Sequence, residues 1–125
     1  MKNVLGTDLQ LCSKSPLTGY FRDGFCRTDY RDSGRHVIAC IVTDEFLQFT
    51  KSRGNDLSTP NSLYGFQGLK NNDRWCVCAV RWKEAFDAGC APEVILEATH
   101  EKSLEYVALD DLISMSSDPK YKERS

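Results

Sequence analysis

The sequence predicts a single α+β domain, with a mixed or antiparallel sheet of four to six short strands, two or three helices and long ordered loops. Three observations predict this class. An apolar, β-branched run at residues 36–42 is typical of a central strand, and a helix-like segment with terminal cap residues follows it directly. Further short strand-like and helix-like runs continue to residue 113 without a repeat. The chain has 125 residues, which is the size of one domain.

Composition and charge exclude several classes of protein. Hydrophobic residues make up 41% of the chain and charged residues 27%, as in ordinary globular proteins. Sixteen Lys and Arg against eighteen Asp and Glu give a net charge of -2, so no basic excess attracts nucleic acid or anionic lipid. The longest apolar run, residues 37–42, is far shorter than the roughly 20 residues that cross a bilayer. No signal-peptide pattern opens the chain. We expect a soluble cytoplasmic protein with no nucleic-acid or membrane partner.

The N-terminal third is rich in turn-forming residues. Asp23-Gly24 lies between two runs that contain aromatic residues. A two-residue turn with positive φ favours Asp-Gly, so this pattern predicts a hairpin over residues 19–26. The preceding residues 12–19 are small and polar and predict an irregular loop.

The middle of the chain begins with a strand and a helix. The run at residues 36–42 predicts a central strand that is buried on both faces. Thr43 is placed to cap a helix that has two acids in its first turn and ends at Gly54. The long connection at residues 55–73 contains apolar residues, so we expect it to pack against the domain.

A second strand and helix are predicted at residues 75–80 and 81–88. Residues 94–98 and 104–107 are strand-like and predict another hairpin. The competing interpretation makes residues 100–107 one helix. The hairpin is preferred because the next segment begins a better amphipathic helix of its own.

That last helix is predicted at residues 109–113. The domain is therefore expected to span residues 1–115. Residues 116–125 contain too little apolar surface to order themselves, so we expect a flexible C-terminal tail.

Six cysteines are the unusual feature of the composition. In a chain without an export signal, a reducing compartment favours thiols, buried cysteines or metal ligands, and disulfides are the minority alternative. Cys76 and Cys78 lie two apart in a predicted strand, so their sulfurs point to one face. Buried packing is the more common role of such cysteines, but the pair also offers half of a four-ligand metal site. The remaining ligands are available from Cys12, Cys26, His36 and His100.

The two histidines and three polar loops are the other candidates for a site. His36 stands at the entrance of a strand, and His100 lies beside Glu101, whose carboxylate is able to orient an imidazole. Turn and cap hydrogen bonds are the alternative role for the polar loop residues. The candidate ligand-binding residues are Arg22, His36, Asn55, Asp56, Ser58, Thr59, Asp73, Arg74 and His100. Motifs of the common serine hydrolases, dehydrogenases, NTPases and zinc proteases are absent from the sequence.

Three functions remain open from the residues alone. The leading one is a small binding domain whose polar pocket takes a small molecule or a protein partner. The second is a zinc- or iron-binding or thiol-redox protein that uses Cys76 and Cys78 with Cys12 and Cys26. The third is an enzyme with an acid-base pair. Its members would come from Asp56, Asp73, His36 and His100. The residues assign no particular cofactor.

Short motifs in a fixed order run from residue 3 to about residue 115. They are Asn3-Val4-Leu5-Gly6, Thr18-Gly19, Arg22-Asp23-Gly24, Gly54-Asn55-Asp56-Leu57-Ser58-Thr59-Pro60, Gly65-Phe66, Gly68-Leu69-Lys70, Asp73-Arg74-Trp75-Cys76, Arg81-Trp82 and Ala98-Thr99-His100-Glu101. Together they resemble the bacterial family called domain of unknown function 2237. The resemblance implies a small cytoplasmic single-domain protein and transfers no activity, cofactor or catalytic residue.

The cysteine pattern departs from that family in two places. Members often carry two adjacent cysteines where this chain has Phe25-Cys26, and a cysteine where Ala39 stands here. A one-residue offset moves a strand side chain to the opposite face, so the resemblance argues against Cys40 as a ligand. The metal set that remains is Cys12, Cys26, Cys76 and Cys78.

Overall fold

The computed structural model describes residues 1–122 as an α+β domain. Short 3-10 helices connect several of its regular elements. The elements are β1 (His36–Ile41), α1 (Asp44–Ser52), β2 (Arg74–Cys78), α2 (Ala79–Asp87), β3 (Glu93–Val94), α3 (Leu109–Ser114) and α4 (Pro119–Lys122). The predicted fold class is confirmed, and so are the strands and helices expected near residues 36–54, 75–88 and 109–113.

The sheet has three antiparallel strands in the order β2–β1–β3 within the described residues. The prediction of four to six strands is therefore not confirmed. Strand β1 is central, as its β-branched apolar sequence predicts, and the residues in its middle are fully buried. Strand β2 lies at the edge of the sheet.

Register places His36 and both strand cysteines on one face of the sheet. His36 pairs with Cys78 and Ala39 pairs with Cys76, with a bulge between them in β1. Directly opposed residues point to the same side, and residues two apart on β2 also share a side. His36, Ala39, Cys76 and Cys78 therefore share the same face.

The two faces of the sheet bury different clusters. The larger core includes Phe46 of α1, Trp82 of α2 and Leu112 of α3, all fully buried. The indole Nε1 of Trp82 donates to the Pro92 carbonyl at 3.1 Å, which satisfies its polar atom. The smaller cluster covers the opposite face. It consists of Cys12, Cys26, Ala39, Cys76 and Ala98.

The predicted hairpin at residues 19–26 is wrong, because this segment forms turns without strand pairing. The Gly24 amide donates to the Thr18 carbonyl at 2.9 Å, so the loop closes on itself. The Thr18 hydroxyl then accepts the Cys76 amide at 2.9 Å. These bonds attach the loop to the edge of β2. They also give the Cys76 amide an acceptor, which the carbonyl of a further strand would otherwise have to provide.

The predicted hairpin of residues 94–98 and 104–107 is also wrong. The chain leaves β3 after two residues and forms the 3-10 helices Leu96–Ala98 and Glu101–Glu105. The hydroxyl of Thr99 donates to the Ile95 carbonyl at 2.9 Å and accepts the Ala39 amide at 3.1 Å. The Thr99 side chain thus makes the hydrogen bond that the backbone of a longer strand would have made. The competing interpretation, a helix over residues 100–107, is nearer to the observed 3-10 helix.

The C-terminal segment contacts the domain in its described part. Ser116 is buried and pairs with Val94 as an isolated bridge. In α4 the Tyr121 hydroxyl donates to a Glu97 carboxylate oxygen at 3.0 Å. The expected tail covers residues 116–125, of which 123–125 lie outside the described residues.

Candidate active site

Three surface cavities contain several of the predicted site residues. The thiol cavity, about 320 Å³, is lined by Arg22, His36, Asn55 and Cys78, among others. The basic cavity, about 410 Å³, is lined by Lys14, Arg22, Lys70 and Asp73, among others. His100 lines a third cavity of about 460 Å³. The structure therefore brings Arg22, His36 and Asn55 together and places His100 elsewhere.

Most of the other predicted polar residues serve local structure, and Asp56, Ser58, Thr59 and Arg74 line none of these three cavities. The carboxylate of Asp56 accepts the Ser58 and Thr59 amides at 2.9 and 3.1 Å, and the Thr59 hydroxyl lowers the Asp56 pKa by hydrogen bonding. This is a local turn of the kind that Asp residues form after a helix. Arg74 begins β2 on the exposed surface. His100 caps a 3-10 helix, its Nδ1 accepting the Lys102 amide at 2.9 Å.

Three of the four predicted cysteine ligands lie together in the core. The Cys12, Cys26 and Cys76 sulfurs lie within 4.8 Å of one another, and all three residues are buried. Cys26 and Cys76 form a disulfide with a Cα–Cα distance of 5.2 Å, which is the minority alternative of the sequence analysis. A disulfide sulfur is not a thiolate ligand, so metal binding by these residues stays a prediction for the reduced chain.

Cys12 is a free thiol held in its neutral form. Burial raises its pKa to about 12, and the nearby Arg74 charge lowers it only in part. The thiolate is the nucleophile and the metal ligand, so a thiol with this pKa is inert near neutral pH.

Asp32 orients the imidazole of His36. Asp32 is buried and its Oδ1 lies 2.7 Å from His36 Nδ1. Its Oδ2 accepts the His36 amide at 2.9 Å and the Thr28 hydroxyl at 3.0 Å. A carboxylate accepts hydrogen bonds, so it selects the neutral tautomer with the proton on Nδ1. Nε2 then carries a lone pair that is available to accept a proton.

Packing also fixes the plane of the imidazole. The Tyr20 ring is stacked with it at a centroid distance of 6.5 Å and an interplanar angle of 20°. Gly34 lies so close that a Cβ there would be 2.8 Å from His36 Cε1. The side chain of His36 is 41% exposed, so the ring is held by its neighbours and still reaches solvent.

Cys78 stands where β2 ends and α2 begins. It is the N-cap residue of α2, but its side chain makes no cap hydrogen bond. The Ala79 amide is taken by the Arg35 carbonyl at 3.0 Å. The next two amides, of Val80 and Arg81, belong to the first turn, where helix geometry provides no intrahelical acceptor. An N-cap side chain normally lies against these two N–H groups.

The chain is similar to one known family along most of its length. A family model described as an uncharacterized protein conserved in bacteria matches residues 2–116. The chain belongs to this family, DUF2237. No curated protein matches the chain. Within residues 1–122 of this DUF2237 member, no helix is long and apolar enough to span a membrane.

The candidate site of this DUF2237 member thus combines a thiol at the start of α2 with an oriented imidazole. Sequence reasoning named His36 as a base or ligand and Cys78 as a metal ligand or reactive thiol, but it missed Asp32 and Gly34. The available signal was an Asp four residues before a His in a turn-rich segment, with a glycine between them. The sequence interpretation drew its acid-base pair from Asp56, Asp73, His36 and His100. The structure joins His36 to Asp32.

Proposed function

We propose that this protein is a cysteine-dependent enzyme that cleaves or transfers acyl groups from activated esters or thioesters. The observation that supports the proposal most is the buried Asp32 carboxylate 2.7 Å from His36 Nδ1, with Cys78 directly opposite His36 in the β1–β2 pair. A nucleophile beside a base that a third group orients is the arrangement of covalent catalysis.

Cys78 acts as the nucleophile and His36 as the base. Directly opposed residues of an antiparallel pair have Cβ atoms about 4.5–5.5 Å apart, and both side chains line the thiol cavity. The thiol proton of Cys78 passes to His36 Nε2 as Sγ bonds to the substrate carbonyl carbon. The negative charge moves to the carbonyl oxygen. Asp32 stabilises the imidazolium that results.

The first turn of α2 stabilises the oxyanion. Cys78 is the N-cap residue of α2, and an N-cap side chain normally lies near the amides of the second and third helical residues, which are Val80 and Arg81 here. The positive end of the helix dipole adds to this stabilisation. When the carbonyl re-forms, the bond to the leaving group breaks, and the leaving group takes the proton from His36. The acyl group remains on Cys78 as a thioester.

A second acyl transfer, from Cys78, releases the product. Water, or an acceptor alcohol or amine, gives its proton to His36 and attacks the thioester carbonyl. Cys78 leaves and regains a proton from His36. The cycle needs no oxidant or reductant, so the Cys26–Cys76 disulfide takes no part in its steps.

The geometry favours this function over the other two drawn from the sequence. A binding pocket alone gives no reason for a buried carboxylate that orients an imidazole beside a thiol. The metal or thiol-redox function drawn from the sequence would use Cys76 and Cys78 with Cys12 and Cys26. Burial holds the Cys12 thiol neutral, and Cys26 and Cys76 are joined in a disulfide, so these three residues offer no thiolate ligand in this structure.

Hydrolysis of 4-nitrophenyl acetate tests the proposal, with acetyl transfer to the chain followed by mass spectrometry. Wild-type protein is expected to acquire one acetyl group on Cys78 before steady turnover. Cys78→Ser should lower the rate by about 10³-fold or more, because the nucleophile is lost. Cys90→Ser is the matched control, since Cys90 is also a free, half-buried cysteine but lies outside the thiol cavity.

The outcome that would overturn the proposal is acetylation spread over lysines, or on Cys90 as fast as on Cys78. Equal rates for wild type and Cys78→Ser would overturn it as well. His36→Gln keeps the size of the side chain and removes the base, so it should form the acetyl-enzyme slowly while remaining folded.

A further inference from the structure

We propose that the natural substrate carries a second, anionic group, a carboxylate or phosphate, which binds in the basic cavity while its acyl group meets Cys78. The position of the acyl group rests on the proposed function. The anion site rests on separate observations around Arg22, and it makes a claim about the substrate class that the catalytic residues do not.

The basic cavity has an excess of positive charge. Lys14, Arg22 and Lys70 line it together with a single acid, Asp73. The whole chain has a net charge of -2, so this local excess runs against the overall charge. A cleft lined by one sign of charge concentrates ligands of the opposite sign.

The three cations of this cavity differ in whether an acid lies beside them. Lys70 Nζ lies 3.6 Å from Asp73 Oδ1. Within residues 1–122, no carboxylate oxygen lies within 4.0 Å of a charged nitrogen of Lys14 or Arg22. Asp23, which follows Arg22 in the chain, pairs with Arg27 at 2.6 Å instead. The charges of Lys14 and Arg22 are therefore available to a ligand.

Arg22 is held in position for this role. Its backbone has a φ of 55°, in the left-handed region that side chains other than glycine seldom adopt. Its Nη1 donates to the Gly19 carbonyl at 2.6 Å, and its guanidinium lies 5.1 Å from the centre of the Trp75 ring. A guanidinium fixed at one edge keeps further N–H donors for a carboxylate or phosphate.

The thiol cavity and the basic cavity meet at Arg22 and Trp75, because both side chains line both cavities. A single small molecule can therefore place its acyl carbon beside Cys78 and its anionic group beside Arg22. Trp75 packs against Phe66 at a ring distance of 5.5 Å, which gives the basic cavity an aromatic wall.

One wall of the basic cavity, at Gly68, is formed where two loops pack closely. A Cβ at Gly68 would lie 2.2 Å from the Ser58 carbonyl oxygen, so two loops meet there at backbone contact. The Leu69 amide donates to the Leu57 carbonyl at 2.7 Å beside this contact. The polar loop at residues 55–60, predicted as a binding loop, thus supports the cavity wall from behind at Ser58. A pre-formed wall lowers the entropic cost of ligand binding.

The first arm of the test measures anion binding without catalysis. Succinate and inorganic phosphate are titrated separately into ¹⁵N-labelled Cys78→Ser protein, and the amide resonances of Arg22, Gly68 and Lys70 are followed. Saturable shifts confined to the basic cavity are expected with at least one of the two anions. Saturation by succinate alone identifies a carboxylate, and saturation by phosphate alone identifies a phosphate.

Arg22→Gly should abolish these shifts, and glycine adopts the positive φ at this position without strain. Lys70→Ala is a second variant, which should weaken binding severalfold. Lys51→Ala is the control, because Lys51 is an exposed lysine of α1 outside the basic cavity. Shifts that fail to saturate, or that persist in Arg22→Gly, would overturn the anion site.

The second arm compares 4-nitrophenyl acetate with the 4-nitrophenyl monoester of succinate, which carries a free carboxylate. We expect kcat/KM to favour the anionic ester by about tenfold, with the preference lost in Arg22→Gly and reduced by salt. Succinate binding in the first arm without turnover of either ester would uphold the anion site and reject the proposed function. Turnover of both esters at equal rates, with no saturable anion binding, would uphold the proposed function and reject the anion site.

Discussion

Cys76 and Cys78 are two residues apart on the same strand and point to the same face, yet they meet different surroundings. Cys76 is 1% exposed, lies against Cys12 and Ala98, and is joined to Cys26. Cys78 is half-buried and free, and lines a cavity with His36. The alternation of side chains along a strand places both cysteines on the same side of the sheet. It does not determine which segments of the chain cover that side.

The N-terminal loops produce the difference. They cover the sheet as far as Cys76, whose amide is taken by the Thr18 hydroxyl, and they leave Cys78 open at the strand end. Burial makes the cysteines of the covered region structural or inert. Exposure beside an oriented imidazole makes Cys78 a candidate nucleophile. Changes on either side of this boundary should therefore affect stability or chemistry, but seldom both.

The largest effect on the chemistry, after loss of Cys78 itself, is expected from Asp32→Asn. The Asn oxygen can still accept the His36 amide and the Thr28 hydroxyl, but its NH₂ group would face Nδ1 and force the proton onto Nε2. Ester hydrolysis should fall by about 10²-fold or more, because Nε2 no longer accepts a proton.

The ¹⁵N chemical shifts of His36 distinguish this tautomer change from simple destabilisation. Wild-type protein should show a protonated Nδ1, and Asp32→Asn a protonated Nε2. Loss of activity with an unchanged tautomer would mean that Asp32 acts only in folding.

Changes to the buried cysteines under the N-terminal loops should alter the stability of the protein. Replacing both Cys26 and Cys76 with Ala removes the cross-link between residues 50 apart in sequence. The free energy of unfolding should fall by about 2–4 kcal/mol, mainly because the unfolded chain is released from a closed loop. Urea unfolding of the double variant, compared with Cys90→Ala, measures this. A stability equal to that of the control would mean that the cross-link contributes nothing.

Gly34→Ala should disturb the site of Cys78 and His36 without replacing either residue. The new Cβ would stand 2.8 Å from His36 Cε1, so the ring has to move away from its position beside Cys78. A displacement near 1 Å can cost up to about 10²-fold in rate, and we expect a loss of ten- to a hundredfold in ester hydrolysis.

Gly89→Ala is the matched control for this change. Alanine is strained at Gly89 because φ is 80°, but a Cβ added there would have no atom within 4 Å. It should cost about 1 kcal/mol of stability and leave the rate unchanged. Equal rate losses in the two variants would show that general destabilisation explains the result.

The smallest effect concerns Cys12 and the alkaline pH range. Its folded-state pKa of about 12 lies above the usual 9.0 of the unfolded chain, so the folded chain keeps a proton that the unfolded chain releases. Stability from this group is complete below pH 9 and should be lost by about 1.4 kcal/mol per pH unit from there toward pH 12.

Cys12→Ala should remove this slope, which chemical unfolding at pH 8, 9 and 10 measures as the difference between the two proteins. Parallel pH profiles for wild type and variant would contradict the buried neutral thiol.

The sequence predicted the parts of this molecule that local rules decide. Thr43 caps α1 and its hydroxyl accepts the Phe46 amide at 3.1 Å, as the Ncap pattern indicates. The buried strand β1 follows from its apolar run. Sequence reasoning also selected Cys78, as a metal ligand or reactive thiol, and His36, as a base or ligand, because their residue types are chemically informative. Both roles stay predictions.

Longer-range contacts decide the rest. The Thr18 and Thr99 side chains take backbone bonds that a propensity-based interpretation assigns to further strands, so both predicted hairpins fail. Asp32 looks like an ordinary turn residue until the fold buries it beside His36. The bulge that brings His36 opposite Cys78 depends on register, which residue patterns alone leave open.

The most direct test of the account is the rate at which each free cysteine reacts with iodoacetamide in the folded protein at pH 7, followed by peptide mass spectrometry. We predict that Cys78 reacts about tenfold faster than Cys90, and that His36→Gln removes this advantage. Cys12 and Cys40 should stay unmodified until the chain unfolds, because burial raises the pKa of both thiols. Equal rates for Cys78 and Cys90, or a Cys78 rate that ignores His36→Gln, would contradict the account.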